Sequence, residues 1–411
     1  MKDMEAMAGG LDNYQVESGP ETVNLELTVR CNLNCKMCQR SFSGFRLPEN
    51  TDMTMEMVQN VLPLLKKTRL VWLSGFGEPL LHPDIIPIIR MIRSVNPDIE
   101  TAFTTNFLLV KGEKLRGLIE AGLTRIQVSV DGDNELGHAF SPTREGVACY
   151  QKVLWERLGE FHSLKQRLGM SKPELQFCFV GMRRNIHQLE EIIQRGLSVG
   201  LSSIVVQPVR DYDGSLTGED LFENRDYSLP ILTAAKLFAE RQGVEFICRF
   251  MDEKMNVTRQ KCTFPWTFFH VAVDGSVFMC CEGIPARNNI MTTDVLDIWN
   301  SPPYLELRKE LVSGKMRRKC WDCSLVKPTT DNERVISQEL LKLDAQQLVG
   351  EIMTQRRYIE SANDRESSLL QERDAVKERL LADIKVRDSL LIRSKALMEK
   401  MNRCDNAPQA G

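Results

Sequence analysis

The chain has 411 residues, 42% of them hydrophobic and 27% charged, and Lys+Arg 53 against Asp+Glu 56 leave a net charge of -3. That length buries a large core with room for appendages, and the near-balanced charge argues against a nucleic-acid partner bound by phosphate neutralisation. No segment reaches the roughly 20 apolar residues of a membrane span. Met1–Pro20 is polar and acidic, with no signal pattern, so a cytoplasmic location is expected.

From about Thr22 to Val209, short β-rich runs alternate with amphipathic helical stretches. The first run, Val23–Val29, leads directly into Cys31-Asn-Leu-Asn-Cys35-Lys-Met-Cys38. Iron–sulfur clusters are ligated by cysteine thiolates, and three cysteines in one short loop can wrap one face of a cubane and leave the fourth iron open. A zinc knuckle would normally close with a fourth Cys or His, and none suitable lies nearby. A helical pattern, Met55–Lys67, precedes the run Arg69–Leu73, which ends in Ser74-Gly75-Phe76-Gly77-Glu78-Pro79. Glycines there let the backbone approach a ligand, and exposed peptide groups can bind an ammonium or carboxylate.

The helix Asp84–Val95 and the strand Ile99–Thr104 lead to Thr105-Asn106. The helix Glu113–Ala121 and the strand Arg125–Val130 lead to Ser129-Val130-Asp131-Gly132. Hydroxyl and carboxylate groups suit a ribose diol, with turn formation at a strand end as the plainer role of Ser129 and Asp131. The helix Gly146–Leu158 and the strand Glu174–Val180 precede Met182-Arg183-Arg184-Asn185, where a guanidinium suits a carboxylate. The helix Ile186–Gly200 and the strand Ser203–Val209 complete six β-then-α units, hence parallel strands with crossover helices. Periodicity alone fits an open (βα) barrel or a doubly wound sheet.

Asp211–Arg225 reads as a loop leaving the last strand, near the active face if the fold is a barrel. Beyond it, Asp274-Gly275 between His270–Val273 and Ser276–Met279 signals a β-hairpin, and a helix is expected over Asp294–Ser313. Cys262, Cys280, Cys320 and Cys323 have the spacing C-x17-C, a gap of 39 residues, then C-x2-C. They can ligate one [4Fe–4S] cluster or one zinc ion. Three readings stay open for Cys281, which are to stand in for Cys280, to donate a proton or hydrogen atom, or to do neither; strand alternation favours Cys280 as the ligand. Cys149, Cys178, Cys248 and Cys404 read as packed or bystander residues. His82, His138 and His270 are left without a role. From Val335 to Met401 there is no proline, and Ile359, Ala362, Leu369, Val376, Leu380, Ile384, Leu391 and Met398 make an imperfect heptad, interrupted by Arg373 and Arg387. A coiled coil for self-association or protein docking is expected there.

The Cys31–Cys38 loop followed by the glycine turn resembles the radical S-adenosylmethionine (SAM) superfamily, over roughly Asn24 to Val209. Gly75-Phe76-Gly77-Glu78-Pro79 is similar to that family's GGEP segment with Phe76 inserted, and Thr105-Asn106-Phe107 to its Thr-Asn-Gly turn with Phe107 for glycine. The resemblance implies a partial (βα)6 TIM-like barrel in which SAM's methionine moiety chelates the open iron. The reduced cluster then cleaves SAM to a 5′-deoxyadenosyl radical that abstracts substrate hydrogen. It implies Cys31, Cys35 and Cys38 as cluster ligands, and Gly75, Phe76, Gly77, Glu78, Asn106, Ser129 and Asp131 as SAM contacts; Arg184 joins them as a guanidinium suited to the SAM carboxylate, with a solvated loop as its plainer role.

The four later cysteines, with Asp297-Ile298-Trp299-Asn300-Ser301 and Arg308, resemble the short Twitch form of the SPASM extension. That form is a small α+β cap holding one auxiliary [4Fe–4S] cluster; the further cysteines of the longer form are absent after Cys323. The expected organisation is an N-terminal extension (1–21), a radical SAM core (22–230), an auxiliary cluster domain (231–330) and a helical tail (331–411). The expected substrate is a small molecule, such as a sugar derivative, or a peptide, and the electron donor a flavodoxin or ferredoxin. Dehydrogenation, epimerisation and peptide modification all suit this architecture, as does methyl transfer without a cobalamin domain. A non-catalytic zinc or iron–sulfur scaffold is the alternative, and it leaves the three-cysteine loop and the Gly75–Pro79 turn unexplained.

Overall fold

In a computed structural model of the chain, residues 14–42, 52–132, 147–211, 214–248, 262–313, 317–321 and 323 are described. The tail expected to form a coiled coil, His138 and Cys404 lie outside them, as does the side chain of Cys149. Residues 1–328 form one compact unit, and 329–411 are assigned to a second.

One ten-stranded sheet organises the first unit. Its strands are β1 (Thr22–Leu25), β2 (Leu70–Trp72), β3 (Glu100–Thr105), β4 (Arg125–Ser129), β5 (Glu174–Gly181), β6 (Leu201–Pro208), β7 (Glu245–Cys248), β8 (Phe268–Val271), β9 (Ser276–Phe278) and β10 (Pro285–Asn289). The order is β10-β9-β8-β1-β2-β3-β4-β5-β6-β7. From β8 through β7 every pairing is parallel, and β8, β9 and β10 pair antiparallel. The sheet follows the α/β expectation, with two additions. A seventh parallel strand, β7, continues past the six predicted ones, and β8 of the cysteine-rich region docks beside β1 and prolongs the barrel wall.

Helices α1 (Met55–Leu65), α2 (Ile85–Val95), α3 (Gly112–Glu120), α4 (Val147–Leu168) and α5 (Leu189–Leu197) follow β1 to β5 in turn, and α6 (Arg225–Arg241) precedes β7. Amphipathic spacing sets their inner faces: α2 buries Ile85, Ile88, Ile89 and Ile92, three and four residues apart as one helix face requires. Thr54 caps α1, its hydroxyl accepting from Met57 N at 3.2 Å. These inner faces meet Val23, Leu25, Val71, Leu73, Ile126 and Val128, all fully buried, in one core. The alternate residues of the same strands face away from the helices, into the concave side of the barrel.

The predicted helix Asp294–Ser313 is two helices, α8 (Val295–Trp299) and α9 (Pro302–Ser313); they follow the short α7 (Phe264–Thr267), and α10 (Arg318–Trp321) comes last. Arg308 on α9 is fully buried. Its guanidinium donates to Pro265 O (2.8 Å), Tyr14 O (2.9 Å), Trp299 O (3.1 Å) and Asn300 Oδ1 (2.7 Å) and lies 4.7 Å from the Trp299 ring centroid. Trp299 Nε1 and Asn300 Nδ2 also donate to Val16 O, so one cation ties the N-terminal segment to the cysteine-rich region. Arg308→Met would leave these acceptors buried without a donor, and is expected to cost about 3–5 kcal/mol. Urea unfolding measures it, and an unchanged midpoint would refute that role.

Candidate active site and auxiliary metal centre

The Cys31–Cys38 loop leaves β1 at its C-terminal end and is anchored on both flanks. Arg30 grips Asp52 with two hydrogen bonds (3.0 and 2.6 Å) and donates to Leu81 O at 2.9 Å. Within the loop, Leu33 N donates to Cys31 Sγ at 3.4 Å, Cys38 N to Cys35 O at 3.0 Å, and Ser41 Oγ to Asn34 Oδ1 and Cys35 O, each at 2.8 Å. Burial pushes the Cys35 thiol up to about 12, and Asp131, Cys38 and Cys31 add to it. The three sulfurs therefore share one electrostatic neighbourhood. A metal at the sulfur overrides such a shift by deprotonating the thiol outright.

The glycine turn after β2 packs on this loop. A Cβ on Gly77 would lie 2.2 Å from Thr28 O and 2.6 Å from Arg30 O, and one on Gly75 would lie 2.3 Å from Glu26 Cγ. Glu78 N donates to Arg30 O at 2.8 Å. Its carboxylate is engaged inside the protein: Oε1 accepts from Thr105 Oγ1 (2.6 Å) and Leu80 N (3.2 Å), and Oε2 from Asn106 N (2.8 Å). Desolvation raises its pKa against those bonds. Glu78 thus joins the second and third motif loops, while Asn106 Nδ2 donates to Asn32 Oδ1 at 2.8 Å and joins the third to the cysteine loop. Phe107 keeps the glycine-like conformation, φ 62, as a fully buried side chain packed edge-on to Phe161 at 5.9 Å.

Ser129 and Asp131 end β4 at the same mouth. Asp131 Oδ1 accepts from Val180 N at 2.8 Å, and desolvation pushes its carboxyl up to about 7. Arg184 is paired with Glu219 at 2.6 Å, so a contact with a cofactor carboxylate would have to compete with that pair. Three residues given no part in the sequence analysis belong here. Tyr150 donates to Ser129 O at 3.4 Å. Asn185, named in its motif without a role, donates to Asp131 O at 2.8 Å and Val180 O at 2.9 Å. Cys178 lies in register with Ser129.

In the second region Cys262, Cys280, Cys281, Cys320 and Cys323 line one cavity, backed by Leu307 and Leu311. Cys262 feels the charges of Cys280, Cys323 and Cys320. Because β9 ends at Phe278, strand alternation does not separate Cys280 from Cys281, and both reach the cavity. Cys280 is the buried one of the two.

Among the described residues, no group of three or more Cys, His, Asp or Glu is arranged to hold a single metal ion. Around zinc at 2.3 Å the sulfurs would sit about 3.8 Å apart; a cubane, with a separate iron under each thiolate, spaces them wider. All-thiolate donor sets around a cavity, and a three-thiolate loop, fit clusters of that kind.

Residues 25–195 match the Radical SAM superfamily, and residues 262–324 match SPASM, an iron–sulfur cluster-binding domain. The chain carries a radical SAM domain and a SPASM domain. Its cofactors are accordingly SAM, the cluster that binds it, and auxiliary iron–sulfur in the SPASM domain.

The tungsten-containing aldehyde ferredoxin oxidoreductase cofactor-modifying protein of Pyrococcus furiosus is 26% identical over an alignment of 338 positions that covers 73% of this chain and 86% of that protein. The PqqA peptide cyclase of Rhodopseudomonas palustris is 23% identical over 74% of this chain and 79% of its own. The crystal structure of Streptococcus suis SuiB bound to S-adenosylmethionine shares the fold, with a TM-score of 0.55 at 17% identity over 76% of this chain and 72% of SuiB; SuiB has also been solved bound to its precursor peptide SuiA. None of the described helices is long and apolar enough to cross a membrane.

Proposed function

We propose that this chain is an enzyme that modifies a peptide by hydrogen abstraction, with a flavodoxin or ferredoxin as electron donor. Cys31, Cys35 and Cys38 hold the SAM-binding [4Fe–4S] cluster; Cys262, Cys280, Cys320 and Cys323 hold one auxiliary [4Fe–4S] cluster. The observation that carries the reading is that the cysteine loop, glycine turn, Asn106, Ser129 and Asp131 share one end of a run of parallel strands whose outermost member beside β1, β8, comes from the cysteine-rich region. When bound, the cofactors supply reductive SAM cleavage and hydrogen-atom abstraction. The chain's own part is positional. Gly75–Gly77 offer peptide groups at close approach, and Ser129 and Asp131 offer groups suited to a ribose. Glu78 and Asn106 lock the loops to one another.

A peptide substrate is favoured over a sugar derivative by the relatives: one is named for cyclising the peptide PqqA, and SuiB takes a precursor peptide. The test is iron, sulfide and zinc analysis of anaerobically reconstituted protein, followed by dithionite, SAM and a 5′-deoxyadenosine assay. About eight irons per chain with 5′-deoxyadenosine formed is the expected result. Zinc without SAM cleavage would overturn the reading in favour of a scaffold.

A further inference from the structure

His270, left without a role by the sequence, stands on β8 where the cysteine-rich region completes the barrel wall. It is in register with Asn24 on β1, and Asn24 with Trp72 on β2. Registered residues of neighbouring strands share a face. Following the register through Ala102, Arg125 and Glu174 puts His270 on the same concave face as Gln127 and Ser129. Burial agrees: His270 is half-buried between Phe269 and Val271, both fully buried on the helix side.

The hydrogen bonds fix its tautomer. Asn24 Nδ2 lies 2.9 Å from Ser74 O. A backbone carbonyl only accepts, so that atom is the amide nitrogen and the usual amide ambiguity is removed. The same nitrogen lies 3.1 Å from His270 Nδ1. It can only donate, so Nδ1 carries the lone pair and Nε2 carries the hydrogen. No described hydrogen bond uses Nε2. Burial, unopposed by any charged neighbour, pushes the imidazole down to about 4, so the ring is neutral at physiological pH. The rings of Phe268 and Phe278 flank it, with centroids 6.3 and 5.6 Å away.

We propose that His270 is a substrate-binding residue, its Nε2–H fixed by Asn24 to hold a backbone carbonyl oxygen of the peptide at the edge of the barrel beside the auxiliary domain. The site offers one neutral donor between two apolar rings. A carboxylate between those rings would lose its hydration without a counter-charge. A peptide carbonyl only accepts. The proposal rests on the peptide reading above and adds where the peptide is gripped.

The test is deuterium exchange at the histidine C2–H, read by mass spectrometry on the anaerobically reconstituted full-length protein with SAM. The exchange of His270 is expected to inflect at least one unit below the ordinary imidazole value of about 6.5. Asn24→Asp, which sets an acceptor against Nδ1 and reverses the tautomer, is expected to raise the inflection by about two units. N-acetyl-trialanine amide is expected to slow exchange at His270 roughly threefold, a change large against the modest cost of losing one hydrogen bond, and methyl glucoside is expected to leave it unchanged. His82, whose imidazole is closed off by Met53 O and Asp84 N, is the internal reference.

An ordinary inflection for His270, no movement in Asn24→Asp, or no slowing by the tripeptide would each overturn the proposal. Slowing by the glucoside alone would overturn the peptide class. The wild-type arms do not depend on the variant folding. 5′-Deoxyadenosine formation when dithionite is then added to the same samples reports separately on SAM cleavage, so its absence beside the expected His270 behaviour would sink only that reading.

Discussion

Cys31→Ala is expected to abolish 5′-deoxyadenosine formation and to lower the iron content from about eight to about four per chain, leaving the absorbance of the auxiliary cluster. The size of the effect follows from ligand number. A cubane held by three thiolates, with its fourth iron kept for SAM, has no spare protein ligand to fall back on. The fold should survive the change, because among the loop bonds described only that from Leu33 N involves the Cys31 sulfur: Arg30 holds Asp52, Asn32 accepts from Asn106, and Ser41 closes on Asn34. A matching far-ultraviolet spectrum and melting temperature would therefore separate cluster loss from unfolding. Retained SAM cleavage in the variant would show that the assignment of this loop is wrong.

The sequence was most informative where chemistry is contiguous. Cys31 to Cys38, Gly75 to Glu78 and Ser129 to Asp131 each sit in one strand-to-helix connection, so the six-unit reading places them at one mouth once the strands are parallel. What closes the site was not legible, because it is made by register across distant segments. Tyr150 meets Ser129, Asn185 meets Asp131 and Val180, and His270 meets Asn24, through pairings that no local pattern announces. Strand β7 reads Glu245-Phe246-Ile247-Cys248, one polar residue and then three apolar ones, with no period-2 alternation, and α6 carries Pro230 within it, which weakens a helical reading. The break between α8 and α9 was within reach, since Asn300-Ser301-Pro302-Pro303 places proline where a new helix starts. Phe107 shows the converse: a position the family fills with glycine keeps its positive φ because a buried ring and its packing on Phe161 hold it there.

Gly77→Ala is expected to lower the melting temperature of the protein before any SAM is added, and then to slow SAM cleavage by about 100-fold. The first effect separates two explanations of the glycine turn. If Gly77 served only to admit a ligand, an added methyl would cost nothing in the SAM-free state. The structure gives it a second duty: the Cβ would stand 2.2 Å from Thr28 O and 2.8 Å from Thr28 C, which are backbone atoms with no rotamer to yield. Overpacking of that kind costs about 1–3 kcal/mol, and relief requires the turn to move off the cysteine loop. That motion would lengthen the Glu78 N to Arg30 O bond and carry Glu78 away from Thr105 and Asn106, so the loops proposed to surround SAM would lose their mutual register. Misplacement by about 1 Å is enough for a loss on the order of 100-fold. Gly75→Ala is the milder comparison, because its Cβ meets the Glu26 side chain, which can shift at the expense of its bonds from Phe76 N and Val273 N. Calorimetric melts without SAM, followed by 5′-deoxyadenosine rate assays with SAM and dithionite, decide the matter: equal melting temperatures for Gly77→Ala and the parent would show that this turn serves the ligand alone.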